Sequence, residues 1–228
     1  MKERPIIFND EMVRAILDGR KTMTRRPMKV QPEYPGLGLS KIIDSSNSKE
    51  AGKYFWSQSD ATGMKSRSKV FSFPFGKPGD RLWVREAFQG PLFDYEDMQA
   101  YLEDCSKFEN PKYCEYRADG NHPPEYSDCD DNLRCGWRPS IHMPRWASRI
   151  LLEITDVRVE RLQDITEDDA RAEGVTLSNP RILSHRDEFR QLWGDIYGCD
   201  GWRSNPWVWV IAFKRVDTGS AAGTSKGE

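Results

Sequence analysis

Two stretches late in the sequence limit what this chain can fold into. ILLEITDVRVERLQDI (150–165) alternates through Leu152, Ile154, Val157 and Val159, and NPWVWVIAFKRV (205–216) is a second apolar, β-branched run. Alternation of this kind has the period of a strand, and the first run predicts one bent strand or two. Between them lie two helical segments. TEDDARAEG (166–174) opens with Thr166 as N-cap, keeps acids in its first turn and stops at Gly174. HRDEFRQLWGDIYG (185–198) places Phe189, Leu192, Trp193 and Ile196 on one face.

The other end of the chain adds a strand and a helix. RPIIF (4–8) reads as a short strand, and Asn9 or Asp10 can cap a helix whose apolar side is Met12, Val13, Ile16 and Leu17. Gly19 ends it. RLWVREAF (81–88) alternates as well, and its more apolar face carries Leu82, Val84 and Glu86. The order is strand, helix, several strands, two helices, strand, without a run of βαβ units. The predicted class is therefore α+β: a small open barrel with helices at its ends, not a parallel doubly wound sheet.

At 228 residues the chain suffices for one domain, 1–216, with a loop-rich insertion at about 89–136 and a disordered tail at 217–228. Residues 31–79, rich in Pro, Gly, Ser and Lys, predict long loops with one short strand near KVFSF. In the insertion, EDMQAYLEDC predicts a short helix and CEYRADG a strand ending in a turn. Apolar residues make up 37% and charged residues 31%, so much of the chain must be surface or polar site. The opening MKERPIIFND lacks the apolar core of a secretory leader, and no stretch approaches the ~18 apolar residues of a membrane span. The expected chain is soluble and cytoplasmic. Cys105, Cys114, Cys129 and Cys135 lack the tight paired spacing of a structural zinc site, even with His122 added, so no metal or other cofactor is expected.

Net charge is only −2, yet residues 14–29 hold Arg14, Arg20, Lys21, Arg25, Arg26 and Lys29 against the single acid Asp18. DGRKTMTRR (18–26) is thus a local cationic patch. It is either a grip on nucleic acid or a lysine placed to activate a hydroxyl. Neighbouring cations and burial would depress the pKa of Lys21. In an extended segment Lys21 and Thr24 would point to opposite faces, but a turn after Gly19 could bring both into one pocket.

ILDGRKTMTRR, PGDRLWVREAF, ITDVRVERLQDITEDDARAEG, WGDIYG and WVWVIAFKRV, in this order, resemble the ASCH domain, a branch of the PUA-like β-barrel superfamily, in the form carried by phages and prophages. The segment 89–136 falls outside that pattern. Some small ASCH proteins are amidohydrolases that deacetylate 4-acetylcytidine. The resemblance implies that Lys21, Thr24 and Glu173 are the catalytic residues here, acting without metal. The alternative it allows is a non-catalytic module that binds RNA or modified nucleic acid, and a phage assembly role is a third reading. The implied partner is a modified nucleoside or RNA, with no membrane; a homodimer is left open.

Further candidates for contacts with substrate or nucleic acid are Arg20, Arg25, Arg26, Glu86, His142, Arg145 and Trp146. Glu86 could be a buried acid on a pocket floor or an exposed strand residue. His142, two residues from Ser140, would share a strand face with it, but no third group to orient a dyad is apparent, which favours a structural or substrate-binding histidine. Arg145 could fork onto phosphate and Trp146 could stack on a base or pack in the core.

Overall fold

The computed structural model describes residues 1–44, 49–120, 122–127 and 132–216. The two late alternating runs form its spine. Strand β11 (Leu151–Arg161) pairs antiparallel with β12 (Trp207–Val216) along its whole length, from Leu151 opposite Val216 to Arg161 opposite Trp207. The register slips between Ile154 and Asp156. That bulge explains the shift in the pattern from Leu152 and Ile154 to Val157 and Val159: the extra residue moves the inward set by one. The run is therefore one bent strand.

The remaining elements, in chain order, are β1 (Glu3–Ile7), α1 (Asp10–Leu17), β2 (Met23–Pro27), β3 (Gly38–Lys41), β4 (Tyr54–Asp60), β5 (Gly63–Arg67), β6 (Arg81–Arg85), β7 (Phe88–Gln89), α2 (Met98–Glu103), β8 (Glu115–Tyr116), β9 (Glu125–Ser127) and β10 (Leu133–Cys135), then, between β11 and β12, α3 (Glu167–Ala172), α4 (His185–Tyr197) and α5 (Cys199–Arg203). The fold is mixed α+β. The main sheet runs β1-β6-β11-β12-β2. Only the β1–β6 pair is parallel. The described strands do not close into a barrel: edge strands β1 and β2 are not paired. A side chain spans the gap instead, since Arg26 Nη2 donates to the Ile7 carbonyl at 2.6 Å.

Helix α1 packs on the sheet as its periodicity predicts. Asn9 accepts from the Met12 amide at 2.9 Å as N-cap. Met12, Val13 and Ile16 join Ile6, Phe8, Leu82, Val84, Leu152, Ile154, Ile211 and Phe213 in one core. A second core places Phe189 and Trp193 of α4 on Leu162, Ile165, Ala170, Val208 and Val210. Leu192 is half-buried and Ile196 exposed, so the apolar face of α4 is only partly covered.

Residues 31–79 are more ordered than their composition predicts. β3, β4 and β5 form a separate antiparallel sheet, and Phe71 in KVFSF makes only an isolated bridge to Tyr54. These strands are largely exposed and polar, so they carry little apolar alternation; their anchor is Trp56, buried against Met28, Leu37 and Trp209. The insertion leaves and returns at one point, where Phe88 and Arg138 exchange backbone hydrogen bonds of 3.2 and 2.7 Å. Within it Phe93, Tyr101, Phe108 and Tyr113 pack ring on ring. The tail 217–228 and Cys129 lie outside the described residues. Among the described residues no helix is long and apolar enough to cross a membrane.

Candidate functional site

The DGRKTMTRR stretch is wedged between two helices. Gly19, at φ +74°, turns the chain out of α1. The Lys21 amide then donates to the Ala15 carbonyl and the Thr22 amide to the Ala172 carbonyl, both at 2.9 Å, before β2 begins at Met23. Gly174, at φ +84°, seals the contact from the other side: a Cβ there would lie 2.7 Å from Lys21 Cβ and 2.8 Å from Ala15 Cβ. A glycine at the end of α3 therefore lets Glu173 reach Lys21.

Lys21, Thr24 and Glu173 are 2%, 1% and 2% exposed. Lys21 Nζ donates to Glu173 Oε2 at 2.7 Å and to the Glu173 carbonyl at 2.8 Å. It makes no hydrogen bond with Thr24. Burial pushes the Lys21 pKa below its ordinary value, Glu173 opposes this, and Arg26 and Arg25 add smaller downward pushes. The neighbouring arginines expected to depress Lys21 do act in that direction, but desolvation is the larger cause.

Arg25 is also sealed. Its Nη1 lies 3.4 Å from Glu173 Oε1, its Nε donates to Glu160 at 3.0 Å and its Nη2 to Asp169 at 2.6 Å. Arg158 completes the set through Glu160 at 3.1 Å and Asp169 at 2.6 Å. Three cations face three carboxylates, so the cluster is neutral within itself. The cationic patch of the sequence is accordingly not a free basic surface: Lys21 and Arg25 are consumed inside, and exposed Arg20 bonds Asp18 at 2.9 Å and the Gly174 carbonyl at 2.8 Å.

Two cavities meet at Glu173. A cleft of about 510 Å³ is lined by Arg14, Asp18, Arg20, Glu173, Thr176 and Gln191 among others. A narrow slot of about 10 Å³, water-sized, is lined by Thr24, Arg25, Arg26 and Glu173 under Phe189, Leu192, Trp193, Ile196 and Tyr197 of α4. The Thr24 hydroxyl makes no hydrogen bond with any described residue, which leaves it free to act on a ligand.

Glu86 is fully buried but elsewhere, and lines neither cavity. Arg149 grips it with Nε at 3.0 Å and Nη2 at 2.9 Å, and also holds Asp119 at 2.7 Å. Burial raises the Glu86 pKa against the opposing effect of Arg149. The strand proposed for Ser140 and His142 is instead a single 3-10 turn, on which His142 is exposed, so the shared strand face does not exist. Arg145 pairs with Glu3 at 2.9 Å. Trp146 packs on the cluster of Phe88, Tyr116, Met143 and Ala147, which accounts for it as core. None of these three lines the Thr24 slot or the large cleft. Cys105 and Cys135 are exposed, and burial pushes the Cys114 thiol up to about 11. Among the described residues, no three His, Cys, Asp or Glu converge as a metal site would require.

Sequence reasoning missed Glu160, Asp169 and Arg158. A signal was there. Asp169 and Glu173 are four apart on one helical side, and Arg158 and Glu160 share a strand face. Comparison with known protein families, curated proteins and solved structures finds no match.

Proposed function

We propose that this protein is a metal-independent amidohydrolase of the ASCH type, on a PUA-like fold, acting in the cytoplasm on an acylated cytidine or a related modified nucleoside. The observation that carries this reading is the meeting of Lys21 and Glu173, 152 residues apart in sequence, at 2.7 Å, with Glu173 lining the same slot as the unbonded hydroxyl of Thr24. The Thr24 oxygen adds to the acyl carbon while its proton passes to neutral Lys21. The tetrahedral adduct collapses, the C–N bond breaks, and the proton reaches the leaving nitrogen by way of Glu173. Water then cleaves the acyl-threonine ester, giving a carboxylate and regenerating the hydroxyl. A depressed Lys21 pKa increases the share of neutral amine at physiological pH. Substrate entering by the large cleft requires α4 to move off Thr24, because the slot as it stands holds about one water.

The test is to incubate purified protein with 4-acetylcytidine and other acylated nucleosides and to follow products by mass. Wild type is expected to release the free nucleoside, and Lys21→Ala and Thr24→Val each to lose about 10²-fold or more in kcat/KM. Near-full activity in Lys21→Ala overturns the assignment. The second reading, a phage-encoded module that binds RNA or modified nucleic acid without chemistry, is favoured by one observation: Lys21 bonds Glu173 and not the hydroxyl it would activate. Binding of nucleic acid with no hydrolysis of any acylated nucleoside selects it.

A further inference from the structure

A second cleft, of about 310 Å³, lies where β1 runs into α1, beneath the point at which the insertion returns. Its polar and aromatic wall is Asn9, Asp10, Arg117, Trp137, Arg138 and Ser140. The Trp137 indole is half-buried. Asn9 spends its carbonyl oxygen on the Met12 amide and keeps its NH₂ free, and the Ser140 hydroxyl bonds no described residue. Arg117 is neutralised by Asp10 at 2.6 Å. The Arg138 guanidinium, by contrast, hydrogen-bonds only the Gly90 carbonyl, at 3.4 Å, and pairs with no carboxylate among the described residues. The cleft thus offers a flat aromatic surface, neutral hydrogen-bonding edges and one uncompensated guanidinium.

This cleft adjoins the Thr24 slot. Ile7 and Phe8 line the cleft, and Arg26 lines the slot. Arg26 reaches across both, donating to the Ile7 carbonyl at 2.6 Å and lying over the Phe8 ring at 5.2 Å. It too pairs with no carboxylate among the described residues, and its Nε is buried without an acceptor. A buried donor left unbonded is unfavourable until an acceptor arrives. The guanidinium of Arg85, opposite Ile7 in the ladder, donates to the Ile141 carbonyl next to Ser140 and lies over the Trp83 ring.

We propose that this cleft binds the nucleotide adjacent to the base in the Thr24 slot, so that the ligand is a single-stranded polynucleotide with Arg26 on the phosphate between the two units. Trp137 stacks on the neighbouring base and Arg138 takes the next phosphate. Aromatic stacking with guanidinium contacts is how single strands are held without reading sequence. The volume suits one nucleotide, and the half-buried Trp137 face suits a base. This rests on the reading of Thr24 and Glu173 as a modified-base site, but the cleft is testable without it.

The test is fluorescence anisotropy with end-labelled single-stranded RNA and DNA hexanucleotides, competed by cytidine monophosphate. Wild type is expected to bind a hexanucleotide about tenfold or more tighter than the mononucleotide, and Trp137→Ala with Arg138→Gln to remove about tenfold of that affinity. Lys65→Ala, which removes a charge on β5 in the separate sheet, is expected to change nothing. Arg138→Gln alone serves if the double variant fails to fold. A double variant or, in that case, an Arg138→Gln variant that binds like wild type, or a wild type that binds the hexanucleotide no better than the mononucleotide, overturns the proposal. Preference between the RNA and DNA probes identifies the source of the strand. If no acylated nucleoside is hydrolysed but the cleft variants still weaken hexanucleotide binding, the amidohydrolase reading falls and the cleft stands.

Discussion

Glu173 and Glu86 are buried to nearly the same degree, but their surroundings differ. Glu173 is held by Lys21 and Arg25, whose side chains have no exposed surface. Glu86 is held by Arg149 alone, 22% exposed and shared with Asp119 at the surface. In both places desolvation is the largest cause of the pKa shift, so each ion pair carries a burial cost that works against its charged form. The signs are opposite: burial disfavours the protonated form of Lys21 and the ionised form of Glu86. The difference separates a sealed network, whose members depend on one another, from a clasp that water can reach and partly replace.

The largest break in this comparison comes from the central cation. Arg25→Met leaves Glu160, Asp169 and Glu173 short of a positive charge, and about 3–5 kcal/mol of stability should be lost, read from urea midpoints. Arg149→Met should cost less, about 1.5–3 kcal/mol, the range for removing hydrogen bonds to a charged group. Equal losses would erase the distinction between network and clasp.

A smaller effect sharpens the sealed side alone. Gly174→Ala places a methyl against Lys21 and Ala15 at a positive φ. It should cost about 1–3 kcal/mol in thermal or urea unfolding and loosen the Lys21–Glu173 contact without touching Glu86. Wild-type stability in this variant would mean that the helix-to-turn contact is not what aligns the pair.

The smallest effect is a pH slope. Because the folded-state pKa of Glu86 lies above its ordinary 4.5, the folded state binds that proton more tightly than the unfolded state. The burial cost is present at pH values above the raised pKa and is relieved as pH falls through it toward 4.5. Wild type should therefore gain stability relative to Glu86→Gln as pH falls through that window, in paired urea titrations. Parallel curves would show that Arg149 fully compensates the buried charge.

How much of this was legible in the sequence depended on distance along the chain. β6, β11, β12 and the inner face of α1 could be read because their apolar residues repeat within a few positions, and burial of Leu82 and Val84 followed from that alternation, whereas Glu86 stayed open between a buried and an exposed position until the fold placed it inside. The sheet of β3, β4 and β5 could not, because strands such as Gly63–Arg67 stay exposed and need no apolar stripe. The charge of residues 14–29 was counted correctly, but its destination was hidden. The carboxylates that neutralise Arg25 lie 135 to 148 residues away, on β11 and around α3. The separation of Trp137 from β1 is of the same kind.

The position of β12 has a consequence for the order of assembly during synthesis. This strand, among the last described residues to leave the ribosome, is not at an edge: it lies between β11 and β2, and the Phe213 amide bonds the Thr22 carbonyl at 2.9 Å. Until it arrives, β2 has no neighbour in the sheet, and Thr24 lacks its cross-strand partner Ile211. Closing a pairing over so long a stretch of chain is slow compared with local contacts. A nascent chain therefore holds Lys21, Thr24 and Glu173 before β12 arrives to pair with β2.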